Sequence, residues 1–296
     1  MKRPTIYRVR TSRAADHWFE IPGSVLGERG VIRLREPADT DLLDLAQQLR
    51  EKRYGKPFVI DDGDARRLFF DLRFAQAEMQ MADPDGLSFD YLHRMMAFQL
   101  FQPNPRRLAL VGLGGGSLTK YCHRELPHTH ITTIEIDAQV IGLSELFDLP
   151  TQSKRLDLIH ADAVEFFGAT ERRFDVIVID GCDSAGTAPA FCRPRFYQQL
   201  KRCLQADGVL VVNQVGHDAP IQALESVIAR AFPSSHMALD YKAGGNRIHV
   251  ALADPQARPD WGRILARAEE LEVSSGLAFP RFARALRRSW RANGGG

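Results

Sequence analysis

This sequence has few cysteines, little excess charge and no long apolar run, and each of these scarcities argues against a class of protein. Its 296 residues include four cysteines, none in a CxxC pair, which disfavours a disulfide framework or a zinc site. The formal net charge is only +2, from 39 basic and 37 acidic residues, so no overall field favours nucleic acid or a membrane surface. No segment approaches the roughly eighteen apolar residues of a membrane span, and the charged N-terminus lacks the apolar segment of a signal peptide. We therefore expect a cytoplasmic protein without a bound metal, whose partner is a small molecule.

We divide the chain into three parts. Residues 1–86 form an N-terminal domain of β-hairpins and a helix, residues 87–256 a nucleotide-binding domain, and residues 257–296 a helical tail. In the first part, short alternating segments, one of them at 7–10, predict a small antiparallel sheet. A helix that begins at Asp39 or Thr40 interrupts this sheet, with one of the two as its N-cap. The acidic sequence at 61–64 indicates a hairpin turn in solvent, because the spacing of an EF-hand is missing.

The tail ends in the basic sequence RFARALRRSWRANGGG, which has the pattern of an amphipathic helix. A basic stripe with an aromatic side chain could contact nucleic acid or an acidic partner. A solvated helix that frays into the terminal glycines is the favoured interpretation.

The stretch at 107–137 organises the rest of the chain. An apolar run at 108–111 predicts a buried parallel strand, and four glycines follow it at once, Gly112, Gly114, Gly115 and Gly116. Glycine allows a sharp turn that brings backbone N–H groups close to a ligand, and the next helix begins with unpaired donors. Glu135 lies near the carboxyl end of the following strand, where an acid accepts hydrogen bonds from ribose hydroxyls. This context favours nucleoside binding over a structural turn. The strict third glycine of GxGxxG is missing, which favours an adenosine cofactor without a pyrophosphate.

Strands and helices continue to alternate beyond this stretch and end in a hairpin at 236–253. Such alternation predicts a parallel sheet, to which the closing hairpin adds one antiparallel strand. We therefore expect a seven-stranded, class I methyltransferase-like (Rossmann-type) α/β fold behind a small N-terminal β-rich domain. Ligands of such sheets bind outside the carboxyl ends of the strands.

Three aspartates follow two successive apolar strands and are candidates for this site, Asp162 after the first of the two and Asp180 with Asp183 after the second. Asp162 could accept a hydrogen bond from an adenine amino group, or it could simply cap the helix that begins at Ala163, and the two interpretations are equally supported. Asp180 and Asp183 lie three residues apart in a glycine-containing loop, so that both carboxylates could hold a cationic amine and Asp180 could accept its proton. Turn aspartates that bond only to the local backbone are the alternative, which spacing alone would favour.

Two polar side chains precede the nucleotide-binding domain. Tyr91 and Gln80 could cover the open end of its crevice, although a surface or capping role is at least equally supported. The methionines and phenylalanines of the predicted helix at 88–102 have the spacing of core residues.

The segment from Phe89 to Gln214 resembles the spermidine synthase (polyamine aminopropyltransferase) family. The matching motifs occur in order and are QPNPRRLALVGLGGGSL, TTIEID, HADAVEFF, FDVIVIDGCDSAG and RFYQQLKRCLQADGVLVVNQ. The resemblance implies an adenosyl sulfonium co-substrate, with Glu135 on its ribose and with Asp162 and Ala163 on its adenine. It also implies that Asp180 is the catalytic base and Asp183 an amine ligand. Gln76 or Gln80 would correspond to the glutamine before the gate of the pocket, and a homodimer is expected because family members are usually dimers or tetramers.

Departures from the family pattern concern the substrates. The family's glycine motif carries an aspartate that holds the amino group of decarboxylated S-adenosylmethionine, but this chain has Gly114, Gly115 and Gly116 there. Without that acid, intact S-adenosylmethionine becomes admissible. Ser184 replaces a proline of the family.

Three functions therefore stay open. The first is aminopropyl transfer to an amine such as putrescine with release of methylthioadenosine. The second is methyl transfer from S-adenosylmethionine on the same fold, and the third is non-catalytic binding of methylthioadenosine or polyamines.

Overall fold

A computed structural model describes residues 16–71, 74–183, 186–216, 219–240 and 245–293. The strand expected at 7–10 and the serine at 184 lie outside these ranges.

An antiparallel sheet of five strands forms the N-terminal part, with each strand beside its neighbour in sequence. Every second residue of its second strand is buried, as expected of a strand with one face on a core. Gly63 has φ +90° in the turn between the third and fourth strands, which confirms the predicted hairpin. The elements are β1 (Asp16–Pro22), β2 (Val31–Pro37), α1 (Leu42–Arg50), β3 (Phe58–Asp61), β4 (Ala65–Phe69) and β5 (Ala77–Gln80).

Helix α1 begins later than the sequence suggested. Its N-cap is Asp41, whose carboxylate accepts a hydrogen bond from the backbone N–H of Leu43. The prediction of Asp39 or Thr40 was therefore wrong, because three consecutive residues can all cap a helix and only the backbone path decides among them.

A seven-stranded sheet with helices on both faces forms the rest of the structure. Its strand order is β13-β14-β12-β9-β6-β7-β8, and β14 alone runs antiparallel to its neighbours, as expected. The elements up to the last helix before β9 are α2 (Asp90–Met95), β6 (Arg107–Val111), α3 (Ser117–Glu125), β7 (His130–Glu135), α4 (Ala138–Leu143), β8 (Leu156–His160) and α5 (Ala163–Ala169). The elements from β9 onwards are β9 (Phe174–Ile179), β10 (Cys182–Asp183), β11 (Gly186–Thr187), α6 (Pro194–Cys203), β12 (Leu204–Gln214), α7 (Ala219–Gln222), α8 (Leu224–Ala231), β13 (His236–Asp240), β14 (Arg247–Leu252), α9 (Trp261–Ser275) and α10 (Phe279–Ala292).

Strand β6 lies at the centre of this sheet, between β7 and β9. From β6 the chain proceeds to one side through β7 and β8, then returns to place β9 and β12 on the other. The crevice between β6 and β9 is therefore the topological switch point, where open α/β sheets bind their ligands.

The helix predicted at 88–102 consists of α2 followed by a 3₁₀ turn at Met96–Leu100. Met95, Met96 and Phe98 have no exposed surface and belong to the core between this segment, the sheet and the last two helices. These residues are core, as their spacing indicated.

The C-terminal helices pack on the sheet and are not a solvated tail. Phe282, Leu286 and Trp290 of α10 are almost fully buried in the same core, so the expectation of a solvated helix was wrong, and the glycines into which it was expected to fray lie outside the described residues. The exposed face of α10 carries Arg281, Arg284, Arg288 and Arg291, and Ala292 at its end is exposed as well. Among the residues that the structure describes, no helix combines the length and the apolar character that a bilayer span needs.

Candidate functional site at the switch point

The ends of β6 and β9 are in direct backbone contact. The N–H of Asp180 donates to the carbonyl of Val111 at 2.8 Å, directly before the glycine turn. Gly112 has φ +91°, and a Cβ on it would lie 2.3 Å from the carbonyl oxygen of Asp180. Glycine is therefore required here, because a side chain would force apart the two strand ends that form the crevice.

The four glycines of the turn differ in their surroundings. Gly112 and Gly114 keep partly exposed surface, whereas Gly115 and Gly116 are buried. A Cβ on Gly115 would lie 3.0 Å from the Cβ of Ala77, in β5 of the N-terminal sheet, and one on Gly116 would lie 2.2 Å from a methyl of Leu149. The N-terminal sheet thus closes one side of the turn, and ligands can reach it at Gly112 and Gly114.

Glu135 ties the end of β7 to this turn. One carboxylate oxygen accepts from the N–H of Leu113 and the other from the N–H of Asp137, both at 2.8 Å. The residue is only 9% exposed, and burial raises the pKa of its carboxyl above the usual value. Each carboxylate oxygen has a second lone pair, which a ribose hydroxyl can use. Ile136, which sequence analysis missed, is 64% exposed beside it and offers an apolar surface to a flat base.

Asp162 is the N-cap of α5. Its Oδ1 accepts from the N–H of Val164 at 2.7 Å, so the capping interpretation is confirmed for this oxygen. The cap bond does not use Oδ2, which is available to a ligand group. Ala163 is the first residue of the helix and is 5% exposed.

Asp180 lies at the centre of a chain of hydrogen bonds. Its Oδ2 accepts from the hydroxyl of Tyr91 at 3.4 Å, and its Oδ1 accepts from the side-chain amide of Asn213 at 2.8 Å. The amide of Asn246 in turn donates to the Oδ1 of Asn213 at 3.0 Å. Burial raises the pKa of the Asp180 carboxyl to about 6, against the opposing effect of these two donors.

Tyr91 was predicted from the sequence as a site residue, whereas Asn213 was not. Burial also holds the pKa of the Tyr91 hydroxyl well above its usual value, so that it remains a hydrogen-bond donor at neutral pH. Asn213 ends the apolar run of β12, and a polar residue at the carboxyl end of a parallel strand is the signal that would have identified it.

The two candidate glutamines are in different environments. The side-chain nitrogen of Gln76 is buried and has no hydrogen-bond partner among the described residues. It directly precedes Ala77, which packs against the glycine turn, and an unpaired buried donor of this kind is a candidate for a hydrogen bond to a ligand. Gln80 is exposed and donates to Glu78 at 2.6 Å, and the hydrogen bonds to the Asp180 carboxylate in the described structure come from Tyr91 and Asn213. The backbone of Asp183 pairs with Gly186, and its side chain lies outside the described part of the structure.

The groups at this crevice are suited to an adenosine-bearing ligand. An unpaired buried amide, a bare backbone turn and a strand-terminal acid are the donors and acceptors of nucleoside sites. Within the described ranges, no three histidine, cysteine or acidic side chains cluster as metal ligands would. Fold and site together define a class I methyltransferase-like protein with its crevice at the switch point.

Comparison with known proteins identifies the family within this class. The spermine/spermidine synthase domain matches residues 88–235, which is half of the chain. This chain therefore belongs to the spermine/spermidine synthase family, and it is a transferase of that family.

Individual relatives agree with this assignment. The polyamine aminopropyltransferase of Neisseria meningitidis is 28% identical over 252 residues, which cover 84% of this chain and 96% of the relative. A probable spermidine synthase from Corynebacterium glutamicum superposes with a TM-score of 0.62 at 20% identity, over 78% of this chain and 91% of the other. Human methyltransferase-like protein 13 in complex with SAH superposes with a TM-score of 0.53 at 24% identity, over 68% and 90%. The two solved structures show the fold.

Proposed function

We propose that this chain transfers an aminopropyl group from decarboxylated S-adenosylmethionine to an amine such as putrescine and releases methylthioadenosine. The observation that carries the proposal is the buried carboxylate of Asp180 at the switch point, with one oxygen towards Tyr91. A carboxylate in this position can hold an ammonium group and accept its proton. Membership of the spermine/spermidine synthase family and the class I methyltransferase-like fold support this chemistry.

In this proposal the adenosine half of the co-substrate lies along the carboxyl ends of β6, β7 and β8. Glu135 holds the ribose, the Oδ2 of Asp162 and the N–H of Ala163 hold the adenine, and Gly112 and Gly114 leave space for the sulfur-bearing chain. The unpaired amide of Gln76 supplies a further donor from the N-terminal sheet. Gly115 and Gly116 act through packing, since both are buried.

The acceptor amine enters on the side of Tyr91 and Asp180. Its nitrogen forms a bond to the carbon beside the sulfonium, the carbon–sulfur bond breaks, and the bonding pair returns to sulfur as a neutral thioether. The proton lost by the amine goes to Asp180. Two bound reactants held in contact and a carboxylate near the developing positive charge account for the acceleration. Asp183 would add a second carboxylate for a cationic amine.

The glycine turn favours a second candidate, methyl transfer from intact S-adenosylmethionine. A side chain at Gly115 would meet Ala77 at 3.0 Å and Phe147 at 3.1 Å, and one at Gly116 would meet Leu149. This turn therefore accommodates no acid at those two positions to repel the carboxylate of the intact cofactor. In this candidate, Asp180 orients a different amine on the same fold.

Calorimetric titration of the purified chain tests the proposal. Decarboxylated S-adenosylmethionine, intact S-adenosylmethionine and methylthioadenosine are titrated separately, then putrescine is added and products are identified by mass spectrometry. Preference for the decarboxylated form together with a propylated amine supports aminopropyl transfer. Preference for the intact form with a methylated product supports the second candidate, and binding without any product supports a non-catalytic binder.

The expected homodimer also stays a prediction, which light scattering of the full chain checks. The cytoplasmic location is likewise a prediction from composition.

A further inference from the structure

Asp180 is bound on its two sides by donors of different strength. The Asn213 amide lies 2.8 Å from Oδ1, while the Tyr91 hydroxyl lies 3.4 Å from Oδ2. The longer bond is at the limit of hydrogen-bond distance and is the easier one for an incoming group to replace. The two oxygens of this carboxylate are therefore not equivalent.

We propose that Asn213 is a positioning residue that reserves Oδ1 of Asp180, so that the substrate's proton is accepted at Oδ2, and that Asn246 fixes the orientation of the Asn213 amide. This inference rests on the proposed role of Asp180 as base. The substrate's proton then goes to Oδ2, and the residues that direct it there lie in β12 and directly before β14.

The orientation of the Asn213 amide follows from its two neighbours. Its nitrogen faces the carboxylate of Asp180, and its oxygen faces the nitrogen of Asn246. The reverse orientation would place its oxygen against the carboxylate and its NH₂ against the NH₂ of Asn246, so that both hydrogen bonds would be lost. The donor to Asp180 is thus directed at Oδ1.

The amide is also held in place by its surroundings. Asn213 is 2% exposed, and its backbone pairs with Ile248 in β14. Thr187 donates to the Asn213 carbonyl at 3.4 Å and accepts from the N–H of Val215 at 2.8 Å. Burial and the pairing of its backbone with β14 prevent the side chain from turning away, so Oδ1 keeps its donor while Oδ2 is free to exchange partners, and Thr187 contacts the backbone alone.

The site contains few groups that can titrate beside Asp180. Asn213 and Asn246 carry no proton to lose, and the described titratable neighbours are Tyr91 on α2 and Cys182, which adjoins Tyr91. A proton on Oδ1 would meet the N–H of Asn213, donor against donor, whereas a proton on Oδ2 meets only a hydroxyl that can turn to accept it. The position of the Asn213 amide therefore determines that Oδ2 of Asp180 accepts the proton.

The test follows the Asp180 carboxyl by NMR in the full chain labelled with [¹³Cγ]aspartate, with the signal assigned by its absence in Asp180→Asn. Loss of a hydrogen bond to a charged group raises the pKa by about one pH unit, so we expect that shift in Asn213→Leu. A smaller shift in the same direction is expected in Asn246→Leu, which only releases the Asn213 amide. Tyr91→Phe removes the longer bond and should shift the pKa less than Asn213→Leu does.

Thr187→Val is the matched control. It removes a buried hydroxyl that touches the Asn213 backbone but not Asp180, so the melting temperature should fall while the Asp180 titration stays unchanged. In kinetics, Asn213→Leu should lower kcat at least tenfold, leave the KM of the amine within about twofold and move the acidic limb of the rate profile to higher pH.

Two results overturn the inference. One is an unchanged Asp180 titration in a folded Asn213→Leu variant, and the other is an equal shift in Thr187→Val. If Asn213→Leu does not fold, Asn246→Leu decides by the same measurement. The NMR titration does not depend on turnover. If the chain binds its ligands but forms no product, the proposed function fails, while the titration still tests whether Asn213 holds Oδ1.

Discussion

Gly112 and Asp180 lie in backbone contact, with space for a hydrogen but not for a carbon between them. A Cβ on Gly112 would lie 2.3 Å from the Asp180 carbonyl oxygen. This contact links the turn that we assign to the co-substrate with the loop that we assign to the amine, so that one backbone position controls both.

Gly112→Ala should therefore destabilise the protein and weaken ligand binding together. A residue with φ +91° costs about 1–2 kcal/mol when it carries a side chain, and the clash adds to this. Gly63→Ala is the matched control, since Gly63 has φ +90° but nothing within 4 Å of its missing Cβ. Thermal unfolding and methylthioadenosine calorimetry of both variants measure the difference. Equal losses in the two variants would show that the contact with Asp180 is unimportant.

Asp180→Asn should abolish turnover and preserve nucleoside binding. The change keeps the shape of the side chain and removes its capacity to accept a proton, and a positioned general base contributes about 100-fold or more to the rate. Steady-state kinetics should show this loss in kcat, and calorimetry should show a Kd for methylthioadenosine within about twofold of the parent. A variant with full activity would remove Asp180 from the mechanism.

Asp180 should also make stability depend on pH. Its folded-state pKa of about 6 lies above the usual 3.8, so the folded chain holds this proton more tightly than the unfolded chain does. The stability that the folded chain gains by binding this proton is fully present below pH 4. It falls as the pH rises through 6 and is absent above that. The shift of about two units corresponds to at most about 3 kcal/mol. Urea unfolding at pH 5 and pH 8 should show that Asp180→Asn gains stability over the parent at the higher pH, and an equal difference at both would contradict the assigned pKa.

A pair of substitutions separates the two interpretations of Asp162. Asparagine at this position still accepts from the N–H of Val164 and caps α5, whereas alanine loses the cap and about 1 kcal/mol of stability. If Oδ2 also accepts from an adenine amino group, Asp162→Asn should weaken methylthioadenosine binding severalfold with an unchanged melting temperature. Unchanged affinity in Asp162→Asn would leave Asp162 as a helix cap alone.

The last helix should be essential for stability. Trp290 is 4% exposed in the core that includes the sheet, so Trp290→Ala should cost about 3–5 kcal/mol. Arg291→Ala changes the next residue, which is exposed, and should cost less than about 0.5 kcal/mol. Chemical denaturation of both variants measures the difference, and a mild effect at Trp290 would restore the view of a solvated tail.

Local patterns were sufficient to predict the central part of the fold. Apolar runs bounded by glycine and acid predicted the strands on either side of Gly112, and strand ends predicted Glu135 and Asp180, because a parallel sheet brings its carboxyl ends to one edge. Features that depend on distant partners were harder. Asn213 lies 33 residues from Asp180, and no local signal shows that its amide meets that carboxylate.

The same limitation explains the C-terminal helix and the glutamines. The arginines of α10 are visible in the sequence, but the surface that receives Leu286 and Trp290 is formed by elements far away in the chain. The side-chain nitrogen of Gln76 is buried and unpaired while Gln80 is exposed and donates to Glu78, a difference that tertiary packing decides.

The N-terminal sheet forms one wall of the glycine turn, through Ala77. Trimming the chain to its Rossmann half would remove this wall and leave the turn open on that side. Engineering that swaps N-terminal sheets between relatives would for this reason alter ligand selectivity without touching a single strand of the larger sheet.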